Sequence, residues 1–118
     1  MASEEGQVIG IHSVDEWKHH FDKGVESGKL IVVDFTASWC GPCRFISPIL
    51  ADIAKKTPHV IFFKVDIDEV QALTGEYRVE AMPTFVFIKE GKEVDRLVGA
   101  VKDDLHAKII QHGGARLA

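Results

Sequence analysis

Leu30-Ile31-Val32-Val33-Asp34-Phe35-Thr36-Ala37-Ser38-Trp39-Cys40-Gly41-Pro42-Cys43-Arg44 is the stretch that decides the fold. A β-branched apolar run carries one acidic residue and stops at a turn that holds both cysteines of the chain. Phe45, Ile46, Ile49, Leu50, Ile53 and Ala54 then recur at helical spacing. The stretch reads as a buried strand, about 30–36, giving way to a helix that runs to about Lys56, with two thiols at the joint. Pro48 falls inside that helix, where it removes a backbone donor and is expected to kink it; Thr57-Pro58 closes it.

Upstream, Val8-Ile9-Gly10-Ile11 reads as a short strand. Ser13-Val14-Asp15-Glu16 has the form of a capping box, and Val14, Trp17, Phe21 and Val25 continue it as an apolar helical stripe that Ser27-Gly28 ends. Downstream, Val60 to Val65 is a third strand, apolar except for Lys64. Asp68 to Tyr77 reads as a short helix weakened by Thr74-Gly75. Thr84 to Ile88 is a fourth strand, and Lys89-Glu90-Gly91-Lys92 turns the chain into a fifth, Glu93 to Val98. Val101, Leu105, Ile109 and Ile110 give a last helix one apolar face. The order is β-α-β-α-β-α-β-β-α, an α/β architecture: a central five-stranded mixed sheet flanked by four helices. Helices between the early strands imply parallel crossovers, and the late hairpin adds an antiparallel edge.

Composition bounds the function. At 118 residues the chain fits one domain, 1–118, with residues 1–6 and 113–118 expected as flexible tails. It is 46% hydrophobic and 27% charged, as expected of a soluble domain with a packed core. A net charge of −4 without a Lys/Arg run argues against nucleic acid and anionic membrane as partners. No apolar run approaches the ~18 residues needed to cross a bilayer. The acidic start Met1-Ala2-Ser3-Glu4-Glu5 is unlike a signal peptide, and Ala2 excludes N-myristoylation, so the expected compartment is the cytoplasm.

Cys40 and Cys43 are the only cysteines. Three positions apart at a helix start, they lie on one side of a turn and can close a small disulfide ring. Unpaired amides and the positive end of the helix dipole favour a thiolate there. Cys40 is thus the expected nucleophile and Cys43, one turn inward, the resolving thiol. Gly41-Pro42 shapes the turn, and a proline is tolerated in the first helical turn, where its missing donor would be unpaired anyway. A structural bridge is the bland alternative, but one spanning two intervening residues constrains little chain. Zinc is another: His106 and His112 fall within the usual His-x3-5-His spacing, yet the chain from Arg44 to Leu105 separates them from the cysteines, unlike a zinc finger. The six histidines are otherwise read as solvated.

Asp34 is costly to bury and should have a raised pKa. Counting in twos, Leu30, Val32, Asp34 and Thr36 share a strand face, so Asp34 points inward behind the cysteine turn. Its functional reading is a proton acceptor for Cys43 through a water; its bland reading is a carboxylate paired with Lys64. The two are compatible, because Lys64 would tune the same pKa.

Trp39-Cys40-Gly41-Pro42-Cys43, with Val33-Asp34-Phe35, Pro48, Lys64-Val65-Asp66, Met82-Pro83-Thr84 and Gly99-Ala100, resembles the thioredoxin family over nearly the whole chain. Phe35-Thr36-Ala37-Ser38 is similar to the cytosolic h-type thioredoxins of plants, and Thr36 stands where many bacterial members have tryptophan. Thioredoxins are themselves a standard example of a cysteine with a lowered pKa. The resemblance implies the thioredoxin fold and a protein-disulfide reductase without a bound cofactor or metal, acting as a monomer. Electrons would come from NADPH through a flavin-containing thioredoxin reductase. It also implies that Pro83 is a cis-proline facing the disulfide. Trp39, Gly41, Pro42, Met82, Pro83, Val98, Gly99 and Ala100 would hold an extended segment of the target. A disulfide-forming isomerase on the same fold is disfavoured by Gly41-Pro42; a binding module using the groove around Trp39 and Pro83 is the rival from another class.

Overall fold

The computed structural model describes residues 5–114. Its elements are β1 (Val8–Ile11), α1 (Val14–Ser27), β2 (Ile31–Thr36), α2 (Gly41–Lys56), β3 (Ile61–Asp66), α3 (Gln71–Glu76), β4 (Thr84–Lys89), β5 (Lys92–Val98) and α4 (Lys102–Gly113). The order is the expected one. Residues 1–4 and 115–118, which make up most of the two expected tails, lie outside the described residues. Within them, Glu5 pairs with Lys29 at 3.5 Å and Gly113 is still helical.

The sheet runs β1-β3-β2-β4-β5. β3 lies parallel to both β1 and β2, while β4 is antiparallel to β2 and to β5. The antiparallel part is the β4–β5 hairpin at one edge of the sheet, as expected. Glu90 and Gly91 both take positive φ, 54° and 82°, the conformation a two-residue hairpin turn demands. An irregularity between Phe87 and Ile88 shifts the β4–β5 register, which twists this exposed edge.

Alternation along β2 divides the core. Leu30 and Val32 pack with Ile46, Leu50 and Ala54 of α2 and Leu105 and Ile109 of α4. Ile31, Val33 and Phe35 face the other way, toward Trp17 of α1 and Leu73 of α3. Trp17 stacks on Phe21 at 4.9 Å and meets Phe63 and Tyr77 edge-on. Helices cover both faces, so β2 is buried along its length and its apolar run is nearly continuous.

Local chemistry sets the helix ends. Ser13 Oγ accepts from the Glu16 amide at 3.1 Å, and the Glu16 carboxylate reaches back to the His12 amide, one residue short of the cap, at 3.2 Å. Gly28 ends α1 in the left-handed region, φ 74°, with its amide on the Val25 carbonyl. Nothing crowds the position of a Cβ there, so Gly28→Ala should cost only the left-handed conformation, about 1–2 kcal/mol. Chemical denaturation with an unchanged m-value would show it. α2 runs through Pro48 to Lys56 without interruption. α3 is shorter than the sequence implied, because Asp66 diverts the chain: its carboxylate accepts the Asp68 amide at 2.8 Å, and the backbone turns through Val70 before the helix starts.

Several histidines are not merely solvated. His12 Nδ1 lies 2.8 Å from Glu69, His59 Nε2 meets the Gly114 carbonyl at 2.8 Å, and His112 joins Lys108 on Asp95, tying α4 to β5. His112 is therefore occupied as an Asp95 partner, away from the cysteine turn.

Candidate active site

β2 delivers its chain end to the start of α2, and both cysteines sit at that junction. Cys40 is the N-cap of α2, extended at φ −93° and ψ 111°, and its sulfur accepts the Cys43 amide at 3.1 Å. A sulfur thus occupies the place where a serine or aspartate oxygen usually satisfies a free helix amide. Cys43 follows in the first turn, after Gly41 and Pro42. The two cysteines form a disulfide, with Cα atoms 5.3 Å apart. They are almost equally buried, 5% and 3% exposed, so burial does not separate an outer from an inner thiol. Their surroundings do.

Cys40 Sγ lies 3.6 Å from the Met82 carbonyl oxygen, a contact the reduced thiol can make as a donor. The Met82–Pro83 peptide is cis. Pro83 is buried, and its carbonyl accepts the Gly99 amide at 2.9 Å, which brings the Val98-Gly99-Ala100 segment beside it. Around this rim, Trp39 is 62% exposed and Val98 56% exposed, and Gly41 and Pro42 face solvent. The residues expected to hold a target therefore gather on the Cys40 side, at the ends of β2, β4 and β5. One neighbour was not read from the sequence. Asp68 accepts the Trp39 indole N–H at 3.0 Å; Phe45, read from the sequence in the apolar series of α2, is instead 57% exposed. The Asp68 contact follows from topology: β2 and β3 run parallel in register, so residues just past Thr36 and Asp66 emerge side by side.

Cys43 shares one cluster with Cys40 and Ala37 but also opens onto a pocket that Cys40 does not line. That pocket, of about 480 Å³, is lined by Cys43 together with Thr36, Ala37, Ser38, Arg44, Ser47, Pro48, Lys64 and Asp66. Arg44 bounds it by donating to the Ser38 carbonyl at 2.9 Å.

Asp34 is 2% exposed, on the strand face that meets α2. Burial pushes its carboxyl up to about 7 from 3.8, and the Lys64 charge pulls partly the other way. In register, Asp34 stands across from Lys64 on β3 and Phe85 on β4. The ion pair of the bland reading is absent: Lys64 Nζ donates to Ser47 Oγ at 3.1 Å, and Asp34 Oδ1 has no hydrogen-bond partner. Lys64 acts on Asp34 through space, not through contact. Among the described residues, no three His, Cys, Asp or Glu side chains converge as metal ligands, and no helix is long and apolar enough to cross a membrane.

The Thioredoxin family model matches residues 12–111. Thioredoxin H-type 1 of Nicotiana tabacum is 69% identical over 94% of this chain and 88% of its own. Thioredoxin H4 of Arabidopsis thaliana is 62% identical over the full length of both. Among solved structures, thioredoxin NaTrxh from Nicotiana alata superposes with a TM-score of 0.88 at 46% identity, covering 96% of this chain and 98% of its own.

Proposed function

This chain belongs to the thioredoxin family of disulfide oxidoreductases, and from that premise we propose how its own residues divide the work. The single observation that carries the proposal is the Cys40–Cys43 disulfide set across the N-terminus of α2, with the Cys40 sulfur against the Met82 carbonyl at the groove. In the dithiol form, the helix start and the capping amide of Cys43 favour a Cys40 thiolate. That thiolate attacks one sulfur of a target disulfide, and the other target sulfur leaves as a thiolate. Cys43, losing its proton to Asp34 through a water, then attacks Cys40 Sγ; the reduced target departs and the Cys40–Cys43 disulfide remains.

The target lies as an extended segment over Trp39, Gly41, Pro42, Met82, Pro83, Val98, Gly99 and Ala100, and Lys64 tunes Asp34. Thioredoxin reductase, a flavoprotein that draws on NADPH, returns the disulfide to dithiol, so the chain needs no bound cofactor. Its place is the cytoplasm, as a monomer.

The test is insulin reduction coupled to NADPH and thioredoxin reductase, together with the potential of the Cys40–Cys43 couple. Catalytic reduction and a potential below that of the glutathione pool are the expected results. A potential well above glutathione would make the chain an oxidant, and no turnover with reductase would leave only a binding groove.

A further inference from the structure

Asp34 and Lys64 occupy paired positions on adjacent parallel strands, and both side chains leave the sheet on the α2 face. A buried carboxyl and a lysine so placed ordinarily meet, because each is costly to bury alone. Here they do not. The Lys64 ammonium is turned onto the hydroxyl of Ser47, one turn along α2 from Cys43, and Asp34 Oδ1 keeps no partner. Ser47, Lys64 and Cys43 line the same pocket, so the ammonium is held on a wall that opens to solvent while the carboxyl stays enclosed.

We propose that Ser47 is a positioning residue: its hydroxyl holds the Lys64 ammonium against the pocket wall and off the Asp34 carboxyl, so that Asp34 remains a proton-accepting group without a contacting counter-ion. A direct ion pair would satisfy the carboxylate, lower its basicity and make it a poor acceptor for a thiol proton. The other charged and titratable groups at this face are few. β3 also supplies Asp66, whose Oδ1 takes the Asp68 amide; α2 supplies Arg44, which is spent on the Ser38 carbonyl, and Cys43; β4 supplies only Phe85. Without the Ser47 hydroxyl, the unpartnered Asp34 oxygen is the acceptor left for Lys64. Asp66 is the competitor.

The consequence for turnover rests on the proton-acceptor role of Asp34, but the positioning itself can be read without activity. The measurement is a carbon NMR titration of the Asp34 carboxyl in the oxidised protein, where neither cysteine titrates. In Ser47→Ala the midpoint is expected about one pH unit or more below that of the wild type. Ser47→Thr, which keeps a hydroxyl, should stay near the wild-type value. In a Lys64→Met background, adding Ser47→Ala should change nothing, since no ammonium is left to release. The proposal is overturned if the Ser47→Ala midpoint holds or rises, which is the result if Lys64 moves to Asp66 or to solvent. It is equally overturned if Ser47→Thr falls as far as Ser47→Ala, or if Ser47→Ala still acts without Lys64. Failure of the acceptor role would be seen elsewhere, as an unchanged pH–rate profile in Asp34→Asn.

Discussion

Cys40→Ser is expected to lower reductase-coupled insulin reduction at least about 10³-fold while leaving the protein folded. The loss is chemical. The substitution removes the thiol sulfur that stands at the groove, beside the Met82 carbonyl and near the exposed Trp39. Cys43 cannot replace it, since it lies within the first turn of α2 and lines the pocket with Pro48 and Lys64, while the contact with the Met82 carbonyl is made by Cys40. Folding should survive for two reasons. Serine is among the better N-cap residues, so the Cys43 amide keeps an acceptor. A disulfide spanning so short a loop also restrains little of the unfolded chain. Far-UV circular dichroism and thermal melting check the fold, and the insulin assay checks the chemistry. The companion variant Cys43→Ser should instead attack and stall, leaving a mixed disulfide between Cys40 and the target that mass spectrometry detects. Full activity in Cys40→Ser would end the nucleophile assignment.

What could be read from the sequence follows the range of the interactions involved. The β2–α2 joint was legible because its signals are local: a β-branched run, a turn with Gly41-Pro42, then apolar residues at helical spacing. The face assignment of Asp34 was legible for the same reason, since a period of two needs only a strand. The place of β1 was not. Nothing in Val8–Ile11 says that it pairs with β3 rather than with β2, the next strand in the chain. Nor does Thr84–Lys89 reveal that it lies antiparallel to β2, because pairing direction is set by the packing of the whole sheet.

The site divides in the same way. Cys40, Cys43 and the motif around them announce themselves, but the cis geometry at Met82–Pro83 came only through family resemblance, as cis prolines are a small minority. The Ser47 partner of Lys64 was not legible from charge. Opposite charges on neighbouring strands suggested an ion pair, and the hydroxyl that takes the ammonium sits on a helix arriving from the other side of the joint. Trp39 and Asp68 meet for a similar reason, past the ends of two parallel strands. Gly24 is a packing case: a Cβ there would stand 2.8 Å from Ile31 Cδ1, so α1 lies close enough on β2 that any larger residue would require the Ile31 side chain to shift, and the helical stripe gave no hint of it.

Asp34→Asn should separate the two consequences of burying this carboxyl, one in stability and one in turnover. For stability the sign is fixed by the raised pKa. Between pH 3.8 and about 7 the folded protein keeps a proton on Asp34 that the unfolded chain has already lost. Stability therefore falls as pH rises through that window and levels off above it, and at 1.36 kcal/mol per pH unit the loss is about 4 kcal/mol. The asparagine variant lacks this term. Measured by chemical denaturation across the window, its stability relative to wild type should climb by about that amount from acid to neutral pH and then stay constant. A difference independent of pH would mean that Asp34 titrates near its ordinary value.

For turnover the effect is opposite in sign. A base with a pKa of about 7 is half in its accepting form at neutral pH, where an ordinary thiol remains almost wholly protonated. Without it, release of the mixed disulfide should slow at least about 10-fold near pH 7. The deficit should shrink to about two-fold or less above pH ~9, where Cys43 ionises unaided. Stopped-flow measurement of release across this range decides the matter, and parallel profiles for wild type and variant would remove Asp34 from the proton path. A protein that gains stability and loses rate through the same substitution is holding an ionisable group where folding alone would not keep one.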